Sequence, residues 1–315
     1  MITLGIETSC DETSASVVKD GVSVLSNVTI SSLKEHAQFG GIIPEIASRR
    51  QMESIHAVVS LALSKAGLTF DDINLIAVTR SPGLIGSLLV GLCFARGLAR
   101  AIGKPLIEVD HIKAHVYANF LRLKDQSYDP YPLLPAVGLV VSGGHTSLYK
   151  ISSFKKFTVL GQTRDDAAGE AFDKVARILD IGYPGGPAID RLSKEGVNDT
   201  IEFPKARFKE GLDFSFSGVK TSVLYYVQKH ANEKTFSKSR IAYAFQKSVV
   251  EVLCEQSINA CVSAGIKTLL VGGGVAANSA LRQLLAEQGK KMGIAVFFPP
   301  MSLCLDNAAM IAGLG

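Results

Sequence analysis

The chain carries a strand–turn–strand unit twice, and this repeat limits what it can fold into more than any other feature. The first copy is Gly5-Ile6-Glu7-Thr8-Ser9-Cys10-Asp11-Glu12-Thr13-Ser14. The second is Gly138-Leu139-Val140-Val141-Ser142-Gly143-Gly144-His145-Thr146-Ser147. The glycine, the first serine and the Thr-Ser pair fall in the same register. In each copy an apolar strand enters a short turn and a second strand leaves it. We read this as an internal duplication: two lobes, each opening with a hairpin. Strands and helical patterns alternate around both hairpins, which predicts an α/β fold with mixed sheets. A length of 315 residues suits two domains better than one core.

In the first lobe, residues 1–124, strands are expected at 2–9, 14–19, 22–30, 73–79 and 106–109, with helices at 45–66 and 84–102. Asp110 stands where the N-cap of a further helix belongs. Residues 125–135 hold three prolines and read as a linker. The second lobe, 136–315, is expected to contain helices at 166–179, 188–194 and 240–264, a loop at Tyr183 to Pro187, and strands at 268–271 and 295–298. A last helix should start at Asp306-Asn307. Gly315 interrupts that pattern, so this helix is expected to be partly missing.

Composition narrows the class. Hydrophobic residues make up 47% and charged residues 20%, a globular balance and not a disordered one. The most apolar stretch, Leu84 to Ile102, is broken by Arg96 and Arg100, so no membrane-spanning helix is expected. No basic-then-apolar leader opens the chain. Five scattered cysteines without a CxxC pair point to reduced thiols and a cytoplasmic protein. A formal charge of +4 permits a nucleic-acid partner without arguing for one.

Two glycine-rich turns end apolar strands: Val140-Val141-Ser142-Gly143-Gly144 and Val271-Gly272-Gly273-Gly274-Val275-Ala276-Ala277-Asn278. Glycine lets backbone N–H groups crowd an anionic ligand. Neither turn has the spacing of a P-loop or of a dinucleotide fingerprint. As a pair they predict a ligand crevice between the lobes.

His111 and His115 lie one helical turn apart, on one face. Two imidazoles so placed can share a metal ion. Asp306, at a helix start after a Pro-Pro turn, supplies a third ligand. Two histidines and one carboxylate leave positions open for substrate. Between the histidines stand Ile112, Lys113 and Ala114, so the glutamate of a HExxH peptidase is missing. On spacing alone, two structural histidines and a helix-capping aspartate remain an alternative. Further carboxylates cluster at Glu7, Asp11 and Glu12, and at Asp165, Asp166, Glu170 and Asp173. The second group reads as a solvated face or as a row facing a ligand. Lys205, Arg207, Lys209 and Lys220 interleave with Phe203, Phe208, Phe214 and Phe216, as in a nucleic-acid contact or a loop with buried phenylalanines.

Over essentially its whole length the chain resembles the universal tRNA threonylcarbamoyladenosine transferases, most closely their bacterial TsaD branch, formerly called O-sialoglycoprotein endopeptidases. The carrying segments include Gly5 to Ser14, Gly40 to Arg49, Asp110 to His115, Val141 to Thr146 and Asp165 to Lys174. They continue in Tyr183 to Pro187, Phe214 to Lys220, Gly272 to Asn278 and Asp306-Asn307. The resemblance implies a duplicated actin/sugar-kinase/Hsp70-like fold. It implies one divalent metal ion, iron first and zinc as the alternative, on His111, His115 and Asp306. It places threonylcarbamoyl-AMP, with ATP or AMP sharing the site, on Val140, Val141, Ser142, Gly143, Gly144, Asp173, Gly186, Asp190 and Asn278. The activity implied is transfer of the threonylcarbamoyl group to N6 of adenosine 37, in the anticodon loop of tRNAs that read codons beginning with A. His111 and His115 would act through the metal, and Glu12 is our choice for proton removal. The protein partners implied are an inactive TsaB-like paralogue and a TsaE-like P-loop ATPase. One departure is visible: the family pattern Ala-Ser-Arg-x-His reads Ala47-Ser48-Arg49-Arg50-Gln51 here. Two rivals are a zinc peptidase and a non-catalytic nucleotide-binding scaffold.

Overall fold

The computed structural model describes residues 1–123, 132–196, 201–206, 208 and 211–315. Most of the expected linker at 125–135, together with Arg207 and Lys209, lies outside the described residues. The chain divides into two compact units. One is Met1–Tyr131 with Pro299–Gly315, the other Pro132–Phe298.

The first unit is built on five strands: β1 (Ile2–Glu7), β2 (Glu12–Lys19), β3 (Ser23–Ser31), β4 (Leu75–Ser81) and β5 (Leu106–Asp110). Their order is β3-β2-β1-β4-β5. The meander β1–β3 is antiparallel, whereas β4 and β5 join in parallel through helices, the mixed sheet expected of hairpins followed by crossovers. Its helices are α1 (Leu33–Ala37), α2 (Pro44–Ala66), α3 (Ile85–Ile102) and α4 (His111–Tyr117). Strand alternation divides β1. Leu4 and Ile6 pack with Val58, Val59 and Ala95 from α2 and α3. Gly5 and Glu7 take the opposite face.

The second unit repeats the plan. Strands β6 (Ala136–Val141), β7 (Thr146–Ser153), β8 (Lys156–Gln162), β9 (Thr268–Gly272) and β10 (Ala295–Phe297) run in the order β10-β9-β6-β7-β8. Again an antiparallel meander is followed by parallel strands. Its helices are α5 (Ala168–Leu179), α6 (Gly185–Ser193), α7 (Ser217–His230), α8 (Lys238–Ala264) and α9 (Ser279–Met292). Phe172 of α5 and Phe245 of α8 meet edge to face, centroids 5.2 Å apart, in its fully buried core.

The structure corrects three expectations. Residues 136–315 do not stay together: α10 (Ala308–Leu314) belongs to the first unit. Met310, Ile311 and Ala312 are fully buried there against Val18, Ala77 and Ala114. A Cβ on Gly5 would stand 2.3 Å from the Ala308 carbonyl oxygen, so α10 can cross β1 only at a glycine. The expected loop at Tyr183 to Pro187 is partly helical, because α6 starts at Gly185; Pro187 in its first turn needs no N–H donor. Helix α7 was not expected. It buries only Val219 and Val223, too thin a stripe to show as a 3.6-residue period. The described part of the basic-aromatic segment follows the second of its two readings, a loop with buried phenylalanines. Phe203, Phe214 and Phe216 are buried, Lys205 pairs with Glu251 and Lys220 with Asp166.

Helix α3 has the length and apolarity to cross a membrane. Here it lies against β4 and α2, burying Ser87, Gly91, Ala95 and Ala99.

Candidate metal centre and glycine turns

Asp110 ends β5 and caps α4 by accepting the Lys113 backbone N–H at 3.0 Å. This cap starts the helix at His111, and the helical period brings His115 to the same face. Both histidines are buried. Asp306 comes from the segment that leads into α10, just before Asn307, which caps that helix through the Met310 N–H. The three residues meet within the first unit. His111 Nε2 and His115 Nε2 are 3.1 Å apart. Asp306 Oδ1 is 3.1 Å from His115 Nε2 and 3.6 Å from His111 Nε2.

This triangle fits a metal ion. Two imidazole nitrogens and one carboxylate oxygen suit zinc or ferrous iron, and ligands about 2.0–2.2 Å from a shared ion stand at about these separations. Among the described residues it is the one group of three or more such side chains gathered tightly enough to hold an ion. Electrostatics support the same reading. Burial disfavours a charged Asp306, but His111 and His115 beside it hold its carboxyl well below the usual range. Burial likewise disfavours a charged His111, yet the carboxylates of Glu7 and Asp306 outweigh it and raise the imidazole to about 9. Such a site holds positive charge, either a proton or a metal.

The turn between β1 and β2 supports this centre. Gln51 of α2 is fully buried, and its amide donates to the carbonyls of Cys10 at 2.9 Å and Glu12 at 3.0 Å. Gln51 therefore clamps the turn, while its neighbour Arg50 pairs with Glu35 and Glu53 at the surface. Burial, then the carboxylates of Asp306 and Asp11, push Glu12 well above the ordinary glutamate range. Burial, then the same group of carboxylates, also pushes the Cys10 thiol up, which keeps it an inert neutral group.

The nucleotide candidates lie in the second unit. The β6–β7 turn is closed by the Ser142 N–H on the His145 carbonyl at 2.8 Å, and by the His145 N–H on Ser142 Oγ at 3.2 Å. A Cβ on Gly143 or Gly144 would meet nothing within 4 Å, so the backbone is open to a ligand there. Gly273 adopts φ +92°, and a Cβ on it would stand 2.4 Å from the Val141 carbonyl oxygen. The two glycine turns are therefore neighbours, each tight against the other. Asp173 accepts the Gly185 N–H at 2.7 Å, which fixes the start of α6. Burial pushes its carboxyl up. Gly186 has open space beside it. Asp190 accepts from Ser279 Oγ at 2.8 Å. Asn278 caps α9 through the Leu281 N–H and donates to Gln246 Oε1 at 2.8 Å. Asp166 and Glu170 are instead tied up by Lys174, so the acidic row of α5 is an ion-pair network, with Asp173 alone turned towards α6.

Sequence reasoning missed Gln246 and Thr79, and it noted Glu7 only as part of a crowd. Glu7 had a signal: a charged residue closing an otherwise buried strand needs a partner.

Comparisons with known proteins identify the family and the fold. The family described as TsaD: tRNA N6-adenosine threonylcarbamoyltransferase matches residues 23–313. A relative in Clostridium perfringens (strain SM101), called tRNA N6-adenosine threonylcarbamoyltransferase, is 54% identical over 312 residues, 98% of this chain and 90% of its own. The protein of that name in Clostridium beijerinckii is 52% identical over 312 residues, again 98% and 90%. Among solved structures, component A of the Acidaminococcus fermentans (R)-2-hydroxyglutaryl-CoA dehydratase aligns with a TM-score of 0.56 at 16% identity, over 99% of this chain and 96% of that one. Full-length HypF aligns with a TM-score of 0.62 at 15% identity, over 99% of this chain and 45% of that one. These two show the fold, the duplicated actin/sugar-kinase/Hsp70-like architecture.

Proposed function

Because this chain belongs to the TsaD family of tRNA N6-adenosine threonylcarbamoyltransferases, we propose that His111, His115 and Asp306 hold one divalent ion, iron or else zinc, in service of that acyl transfer. The observation that carries this reading is the buried triangle of Nε2, Nε2 and Oδ1 atoms, 3.1 to 3.6 Å on a side. When bound, the ion supplies Lewis acidity and a template for the acyl oxygens. The donor is threonylcarbamoyl-AMP, and the acceptor is adenosine 37 in the anticodon loop of tRNAs reading codons that begin with A. An unpaired loop base is the ordinary target of RNA recognition.

The chain's own residues divide the remaining work. The open Gly143 and Gly144 amides cradle the phosphate, with Val140, Val141 and Ser142 forming the turn that presents them. Asp173, Gly186, Asp190 and Asn278 hold the adenosine half. The N6 amine is a poor nucleophile, so position counts for much of the rate. A bond forms between N6 and the carbamoyl carbon, the bond from that carbon to the phosphate oxygen breaks, and AMP leaves with the electron pair. The proton lost by N6 passes to the carboxylate of Glu12, whose raised proton affinity suits a general base. The setting is cytoplasmic, with a TsaB-like paralogue and a TsaE-like ATPase as the protein partners.

His111→Ala tests the reading. With purified threonylcarbamoyl-AMP, unmodified tRNA and both partner proteins, this variant should form no modified nucleoside by mass while keeping the wild-type circular dichroism spectrum. Full activity would sink the metal mechanism. Casein should stay intact with the metal-loaded protein, since no glutamate stands between His111 and His115.

A further inference from the structure

We propose that Glu7 is the positioning residue of the metal centre, a buried carboxylate that orients His111 directly and Asp306 through Ser9. The inference rests on the metal reading above and extends it to a residue that touches neither metal nor substrate.

Strand geometry brings Glu7 there. It closes β1 on the same face as Gly5, the face that α10 crosses. The parallel register that pairs Gly5 with Ala77 and Ile6 with Val78 sets Thr79 of β4 beside Glu7. Three donors converge on the buried carboxylate. The Ser9 backbone N–H meets Oε1. The Thr79 hydroxyl donates to Oε2 at 2.5 Å, and His111 Nδ1 lies 3.0 Å from the same oxygen. A carboxylate is costly to bury, and this one is satisfied from three sides.

The consequence for His111 is chemical. A neutral imidazole that gives its Nδ1 proton to Glu7 keeps its lone pair on Nε2. That nitrogen faces His115 and Asp306. The reverse tautomer would aim a proton at the ion and a lone pair at a carboxylate. Glu7 also fixes Ser9, whose hydroxyl reaches Asp306 Oδ2 at 3.5 Å. One carboxylate thus aligns two of the three ligands. It supplies charge balance as well: with two neutral imidazoles and one aspartate as ligands, a divalent ion keeps one uncompensated positive charge, which Glu7 offsets. His115 has no such support, because its Nδ1 is buried without a hydrogen-bond partner among the described residues.

The test is a Zn²⁺ titration of wild type and Glu7→Gln against a chromogenic chelator, with circular dichroism on the same samples. Wild type should bind one ion per chain, and Glu7→Gln should bind about 10–100-fold more weakly. Wild-type affinity in a folded Glu7→Gln protein would overturn the proposal. Side-chain ¹⁵N spectra of the Zn²⁺-loaded wild type give a second reading that does not depend on the variant folding. His111 should show a proton on Nδ1 and the ion on Nε2; the ion on Nδ1, or no proton there, would overturn the proposal equally. A wild-type chain that takes up no Zn²⁺ would instead sink the metal reading itself, so the two failures are distinguishable.

Discussion

The β1–β2 turn and the β6–β7 turn are the same piece of backbone put to different uses. Ser9 and Ser142 occupy matching places, and each serine carbonyl accepts an N–H from the start of a helix: Leu84 at 2.8 Å for Ser9, Gly169 at 3.1 Å for Ser142. Each approach needs a glycine. A Cβ on Gly83 would stand 2.5 Å from the Ser9 oxygen, and one on Gly169 would stand 2.6 Å from the Ser142 oxygen. The residues that follow the serines then diverge. In the first turn Cys10, Asp11 and Glu12 fill the space, clamped by Gln51 and by the hydroxyls of Ser31 and Ser32. In the second, Gly143 and Gly144 leave it open. A duplicated scaffold thus holds titratable groups in one copy and bare amides in the other. The first suits proton and metal chemistry, the second an anion. Fold alone therefore says little about function here; the turn residues carry it.

The largest effect should come from removing the titratable group of the first turn. Glu12→Gln keeps size and polarity but takes no proton. In the proposed mechanism kcat falls by about 10²–10⁴-fold with KM for the acyl-adenylate nearly unchanged. Single-turnover transfer monitored by mass checks this; an unchanged rate would return Glu12 to a purely structural place. The second turn should answer in the opposite parameter. Gly143→Ala puts a methyl group where the phosphate is proposed to sit, so KM should rise by about tenfold or more with little change in melting temperature. Gly169→Ala supplies the contrast. Its methyl has no room beside Ser142, and overpacking of this kind costs about 1–3 kcal/mol. That amounts to roughly 2–4 °C in melting temperature per kcal/mol for a unit of this size. If Gly143→Ala destabilised and Gly169→Ala did not, the open and the crowded side of the β6–β7 turn would have been assigned the wrong way round.

The sequence shows some of this directly and some of it not at all. The hairpin repeat is readable because Gly5 and Gly138, Ser9 and Ser142, and the Thr-Ser pairs keep one register. The histidine pair is readable because helical spacing alone puts His111 and His115 on one face. Glu7 is not, since its partner lies 104 residues away and strand alternation gives only the side it takes, not what lies there. Gln51 is hidden for the same reason: a helix pattern marks it as inward-facing without showing that it holds the carbonyls of Cys10 and Glu12. The apolar run Ala308 to Ala312 announces a buried helix but not the sheet that buries it. Gly5 decides that, through a contact with Ala308 that no local pattern predicts. The family resemblance supplied the ligand set as a whole, and the geometry then divides it into residues with open space beside them, such as Gly186, and residues already engaged, such as Asn278.

The smallest effect concerns stability and returns to Glu12. Its proton affinity is raised on folding by burial and by the carboxylates of Asp306 and Asp11. For a carboxyl group whose folded pKa lies above its unfolded value, the folded chain binds more protons in the window between the two. Stability is therefore lost as pH rises from the ordinary glutamate range through the folded value. Glu12→Gln removes the ionisation in both states. With chelator present, the variant should melt at a higher temperature than wild type at pH 7, and this gain should disappear below about pH 4.5, where the glutamate is protonated folded or unfolded. The same substitution would then cost activity and add stability, the exchange expected where a group is kept for chemistry at the expense of the fold. Asp173 in the second unit, also raised by burial, gives the matching control. Asp173→Asn should show the same direction of shift with no effect on metal retention, because the residue lies in the second unit and the metal ligands in the first. Loss of metal in Asp173→Asn would show that the two copies of the scaffold do not divide the work between them.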